Sequence, residues 1–133
     1  MQQSNTFPKS EHLCGAKNLT RLFSEGEAFI IYPLRVIYLW EPFCAEFPPV
    51  RVVVTVPKRR FKRAVDRNRL KRLMREAYRL NKSDVCSVLQ ERSKQLLLAF
   101  HYVSDEKLDF SLVERKMKLA LRRIIESLEA SDN

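Results

Sequence analysis

The 133-residue sequence predicts an α+β fold, a two-layer αβββαβα sandwich in a single domain spanning 1–133. Two stretches, 70–80 and 112–128, carry apolar residues at intervals of three and four, the period of a helix with one buried stripe. Four short runs, 28–32, 34–40, 50–56 and 96–103, are rich in β-branched and aromatic residues and read as strands. Because strands and helices are interleaved, helical stripes can cover one face of a sheet and leave the other free.

Residues 1–11 are polar apart from Phe7 and Pro8, and they are expected to be extended or mobile, as are 129–133. A short helix follows over 17–24, where Leu19, Leu22 and Phe23 repeat at helical spacing before a stop at Gly26. The first two strands flank Pro33, and a loop with three prolines occupies 41–49. The third strand ends at Pro57. The periodicity through Leu70, Leu73, Met74, Ala77 and Leu80 makes the clearest helix, and a shorter one is expected near 85–89. After the fourth strand, Asp109 is placed to cap a last helix. Its stripe comprises Leu112 or Val113, then Met117, Ala120, Ile124 and Leu128.

Composition excludes several classes. With 45% hydrophobic and 31% charged residues and only two glycines, the chain is neither collagen-like nor of a disordered composition. No apolar run reaches the roughly 18 residues of a membrane span, and no secretory signal opens the chain, so a cytoplasmic protein without membrane contact is expected. Cys14, Cys44 and Cys86 are widely spaced and form no CxxC pair, so neither a disulfide framework nor a zinc site is expected.

The formal net charge is +9, and its distribution is uneven. Residues 58–82 hold 12 basic side chains against two acids, a local net of +10, and the remainder of the chain is close to neutral. On a helical wheel at about 100° per residue, Arg67, Asn68, Lys71, Arg72, Arg75 and Arg79 fall within roughly 140°, opposite Leu70, Leu73, Met74, Ala77 and Leu80. Like charges at i, i+4 spacing repel, so a helix that needed only solubility would alternate its signs. A polyanion rewards this pattern: Arg donates in a planar fork, Lys supplies a point charge, and Asn68 can donate to phosphate, sugar or base. Lys58, Arg59, Arg60, Lys62 and Arg63 extend the same field. Tyr78 falls on the basic face, either to stack on a base or as a partly buried edge.

Protein-borne catalytic equipment is not visible. His12 and His101 are far apart, and no HExxH, acidic metal cluster or Gly-rich phosphate loop occurs. His101 reads as a packed or sheet-surface histidine, and Asp66 suits the positive end of the basic helix.

The run from Ala64 to Glu76, with its Arg67-Asn68 and Lys71-Arg72 pairs and Arg75, closely resembles the signature of the bacterial ribonuclease P protein component. The preceding strand and basic turn, and the short helix before Gly26, resemble the same family, so the similarity spans about residues 7–125. The resemblance implies a ribosomal protein S5 domain 2-like sandwich with a left-handed βαβ crossover. It implies a protein subunit that binds a catalytic RNA and assists removal of the 5′ leader from precursor tRNA. Metal-assisted hydrolysis would belong to the RNA, with Mg2+ held mainly by RNA, no metal ligand or catalytic side chain on the protein, and no organic cofactor. Arg67, Asn68, Arg69, Lys71, Arg72 and Arg75 would dock on the RNA subunit, with Arg79 and the basic residues of 58–63 beside them.

A second site implied by the family, between the first helix and the open sheet face, would hold the single-stranded leader. Such a site needs aromatic platforms and a basic rim. Phe7, Phe23 and Tyr38 are candidates for the rings, and Lys9, Arg35, Lys58 and Arg60 for the rim. Two positions depart from the family pattern: His12 stands where an Arg is usual, and Leu19 where an aromatic is frequent. Both weaken the expected leader site and leave the basic helix intact. Two other classes compete: an RNA-binding protein of ribosomal type with no role in turnover, and a protein-only nuclease. The Arg-Asn and Lys-Arg spacing disfavours the former, and the lack of a metal-ligand set or an acid and base pair disfavours the latter.

Overall fold

A computed structural model describes residues 7–13 and 15–131. In chain order the elements are a 3-10 turn at Lys9–Glu11, α1 (Ala16–Glu25), β1 (Glu27–Ile31), β2 (Leu34–Glu41), β3 (Val50–Thr55), α2 (Ala64–Asn81), α3 (Ser83–Glu91), β4 (Gln95–Tyr102) and α4 (Phe110–Ser131). The strands form one sheet in the order β1-β2-β4-β3. β1 and β2 are antiparallel, as are β2 and β4, whereas β3 runs parallel to β4 and reaches it through α2 and α3. The continuous apolar run of β4 suits its central place, where both faces are covered; β3, at an edge, alternates buried with half-exposed residues.

The principal core lies between the sheet and the helices α2, α3 and α4. Val36, Tyr38, Val52, Val54, Leu98 and Phe100 meet Leu70, Met74, Val113, Met117 and Ile124 there. Val113, rather than Leu112, takes the buried place at the start of the α4 stripe, and the Asp109 carboxylate caps the helix by accepting from the Leu112 N–H at 3.0 Å. A smaller core fills the other face, where Leu22 and Leu19 of α1 sit over Ile37, Leu97 and Ala99. Gly26 lets α1 end this close to the sheet, because a Cβ there would run into the carbonyl oxygens of Leu22 and Tyr38.

The segment before α1 is built into the fold. His12 forms a parallel bridge with Val52, and the Leu13 N–H donates to the Val52 carbonyl at 2.8 Å, so the segment covers the outer edge of β3. Glu11 is buried and accepts two hydrogen bonds from the Lys82 ammonium, at 2.6 and 2.7 Å, across 71 positions of sequence. Residues 9–11 are thus an anchored turn rather than a loose tail, and 129–131 continue α4; the remaining expected mobile positions, 1–6 and 132–133, lie outside the described residues. Cys44 and Cys86 are free thiols, and burial pushes the Cys86 thiol up from its ordinary pKa, in keeping with an inert packing role; Cys14 is outside the described residues. Among the described residues no helix is long and apolar enough to cross a membrane.

Candidate nucleic-acid interface

In α2 the buried residues are Leu70, Met74, Ala77 and Tyr78. The helix is therefore rotated from the wheel's expectation by roughly 45°, with two consequences. Tyr78 is fully buried, its ring against Phe7 and Phe100, so it cannot stack on an external base; burial, with Cys86 and Glu11 nearby, raises its hydroxyl pKa well above the ordinary value. Leu80 is exposed in its place, and Arg69 joins Asn68, Arg72 and Arg75 on the outward face. The rotation seats the large Tyr78 ring against Phe7 and Phe100, while Leu73 stays half-buried against the same core.

The predicted cations divide by what already holds them. The side chains of Asn68, Arg69, Lys71, Arg72 and Arg75 have no hydrogen-bond or ionic partner among the described residues, nor do those of Lys58, Arg59, Lys62 and Arg63. Arg79 grips Glu76 one turn back through two hydrogen bonds, which holds the Glu76 carboxyl below the usual carboxylate range. Arg60 pairs with Asp105 at 2.7 Å. Arg67 turns back over the helix start, its Nη1 donating to the carbonyls of Phe61 and Lys62 at 2.8 and 2.9 Å. That guanidinium fixes the basic turn to α2 while its other donors stay available. Asp66 lies in the first turn of α2, as its dipole favours, and pairs with Lys107 at 3.0 Å.

The sheet face opposite α2 and α4 forms a second surface. Register places Ile30, Arg35, His101 and Thr55 in one row across β1, β2, β4 and β3, beyond the part that α1 covers. His101 Nδ1 lies 2.6 Å from the Thr55 hydroxyl, and its pKa is lowered by burial and then by Arg35, Arg60 and Arg59. On the other side of α1, Arg21 holds Glu41 with two hydrogen bonds, at 3.0 and 2.6 Å. Phe23 is about 200° from Arg21 around the helix, so its ring, 48% exposed, faces the Arg35 row.

Of the seven residues expected at the leader site, the fold brings Phe23 and Arg35 to this open face, and Arg60 acts electrostatically on its His101. The fold sets two apart. Tyr38 is only 8% exposed and points to the helix layer, its hydroxyl donating to Glu27 at 2.7 Å. Phe7 stacks on His12, with ring centroids 4.1 Å apart, near Tyr78 and Arg75 at the edge of β3. Lys9 is exposed on the anchored turn. His101 takes the sheet-surface place that the sequence allows it, and Thr55 is the member of this row that the sequence does not single out; its signal is the alternation of β3 together with the pairing of Thr55 with His101.

Comparison with known proteins agrees with this architecture. The family model for Ribonuclease P matches residues 7–125. The chain is 48% identical over 124 residues to a ribonuclease P protein component of Porphyromonas gingivalis, covering 92% of this chain and 89% of the relative. It is 41% identical over 107 residues to that of Chlorobaculum tepidum, covering 76% and 70%. The fold is similar to that of the RNase P protein from Thermotoga maritima, with a TM-score of 0.66 at 24% identity over 85% of this chain and 96% of that one. The Staphylococcus aureus RNase P protein gives 0.65 at 17% identity over 87% and 96%. The four-stranded sheet, the basic helix with its Arg-Asn and Lys-Arg pairs, and these matches together place the chain in the ribonuclease P protein component family.

Proposed function

We propose that the chain is the RNA-binding protein subunit of the ribonucleoprotein endonuclease that removes the 5′ leader from precursor tRNA. The observation that carries this is the outward face of α2, where Asn68, Arg69, Arg72 and Arg75 stand without protein partners on a rigid helix. Such a face is suited to the phosphates of a folded RNA, and each phosphate it neutralises releases condensed counterion. Lys58, Arg59, Lys62 and Arg63 continue the field from the turn that Arg67 holds.

The open sheet face is the leader's place in this reading. Phe23 offers a ring for a base, while Arg35 and the basic turn offer cations for the backbone. His101 and Thr55 add hydrogen-bonding groups to the same row. Neither surface suits a protein-held Mg2+: the groups presented are cationic or neutral, and Asp66 is already tied to Lys107. In the holoenzyme the ion would be held mainly by RNA phosphates, and the protein's contribution is to offset repulsion between the two RNAs and to position the leader.

The test is leader cleavage at low magnesium, with RNase P RNA and precursor tRNA of the same organism, in the presence and absence of the purified chain. Cleavage should accelerate when the chain is added. An unchanged rate would overturn the reading.

A further inference from the structure

The loop between β2 and β3 exposes two large rings: Phe43 is 60% exposed and Phe47 46%. The loop is held in one shape. Buried Gln95 donates through Nε2 to the carbonyls of Cys44 and Phe47, at 2.6 and 3.1 Å, and the Phe47 N–H closes a turn on the Cys44 carbonyl at 3.1 Å. Pro42, Pro48 and Pro49 restrict the backbone further. Rings that stand outside both cores on a loop fixed in this way are pre-organised for a ligand. The Arg51 guanidinium lies 4.2 Å from the Phe47 ring centroid, and a cavity of about 370 Å³ beside the two rings has Lys94 on its wall. Glu46, the acid of this loop, is exposed and lies outside that cavity wall.

Rings with cations beside them are the chemistry of unpaired nucleotides, where a base stacks and its phosphate finds a positive charge. The position says which RNA. Arg75 of α2 shares a cavity with Val52, Val53 and Val54 of β3, and Arg51 precedes Val52 on the same strand. The platform therefore lies along the same β3 edge that Arg75 approaches, beyond the His12–Leu13 segment that covers that edge. α1 separates it from the Arg35 row: Arg21, on the flank of α1 away from Phe23, is tied to Glu41 immediately before this loop.

We propose that Phe43, Phe47, Arg51 and Lys94 form a second docking point for the RNA subunit, one that receives an unpaired base and its phosphate. This rests on the reading above that α2 docks on that RNA, and it adds a contact that recognises an unstacked nucleotide rather than charge alone.

The test is binding of the full chain to RNase P RNA without precursor, over a series of salt concentrations, together with chemical probing of unpaired bases. Replacing both rings (F43A/F47A) should weaken affinity by about tenfold, the order expected for one stacked base. The salt slope should stay unchanged, and a base protected by the wild type should become reactive. Phe47→Trp should restore affinity and protection. Both rings are exposed, so thermal unfolding of the double variant should match the wild type. If the double variant binds the RNA as tightly and leaves the same protections while still accelerating cleavage, this proposal fails and the assigned function stands. A loss seen only with leader-bearing precursor, or a self-association abolished by F43A/F47A, would reassign the platform to the leader or to a second copy and equally overturn it.

Discussion

The outward face of α2 and the open face of the sheet both suit RNA, but they are built from opposite materials. On α2 a single helix presents a row of unpartnered cations, so its binding energy is largely ionic and falls steeply with salt. The open face is assembled from four strands and the flank of α1, and it offers one ring, one strand cation, a histidine and a hydroxyl. Its binding should depend less on salt and more on stacking and on protonation. The difference suits the two partners proposed: a large folded RNA offers many phosphates at fixed spacing, whereas a short single strand offers bases.

The largest effect should come from neither face but from the anchor behind them. Glu11→Ala takes the carboxylate from a buried ammonium, so it should destabilise the fold by about 3 kcal/mol in denaturant titrations. The salt slope of RNA binding, measured where the variant is folded, should not change. A changed slope would mean that the anchored segment belongs to the ionic surface.

Next in size is the ionic face itself. Replacing Asn68, Arg72 and Arg75 together with Ala should lower affinity for the RNA subunit about 30-fold at 0.1 M salt, roughly 2 kcal/mol. The log–log salt slope should flatten by about two, one for each cation lost. Retention of the full slope in filter-binding or fluorescence titrations would show that phosphates lie elsewhere.

Phe23→Ala should then cost about five- to tenfold in affinity for precursor with a leader, as expected for one stacked base, with no change for mature tRNA and an unchanged salt slope. Equal losses for both substrates would remove Phe23 from the leader's path.

The smallest effect concerns His101, whose folded pKa lies below its ordinary 6.5 because of burial and then Arg35, Arg60 and Arg59. The unfolded chain binds this proton more readily, so the stability this group contributes is complete above about pH 6.5 and is lost as pH falls below it. A phosphate bound beside Arg35 would raise the pKa again, so leader binding should take up a proton and tighten a few-fold between pH 7 and 5.5. His101→Gln should abolish that tightening. A pH-independent affinity in the wild type would place the leader away from this row.

The same contrast explains what could be read from the residues alone. α2 was legible because its charges and apolar residues lie within one turn of one another and need no partner to be interpreted. Its rotation is not legible in the same way, since a wheel cannot tell that Tyr78 has Phe7 and Phe100 to pack against. Tyr38 shows the corresponding limit in a strand: alternation says that Tyr38 and Ile37 face opposite ways, but the layer that covers each depends on where α4 and α1 come to rest. The row through Arg35, His101 and Thr55 exists only once three pairings are set. Burial of Glu11 required a partner 71 positions away, and no local pattern reports that.

Arg67 bears on how the two surfaces can change over time. One of its terminal nitrogens is spent on the carbonyls of Phe61 and Lys62, so the crease between β3 and α2 is shared property of both faces. A substitution there would move Lys58 and Arg59 relative to the Arg35 row and at the same stroke move the start of the ionic helix. On the function proposed, drift in the sequence of the RNA subunit and drift in the substrates' leaders would meet at one guanidinium. Neither specificity could be retuned through that position without the other.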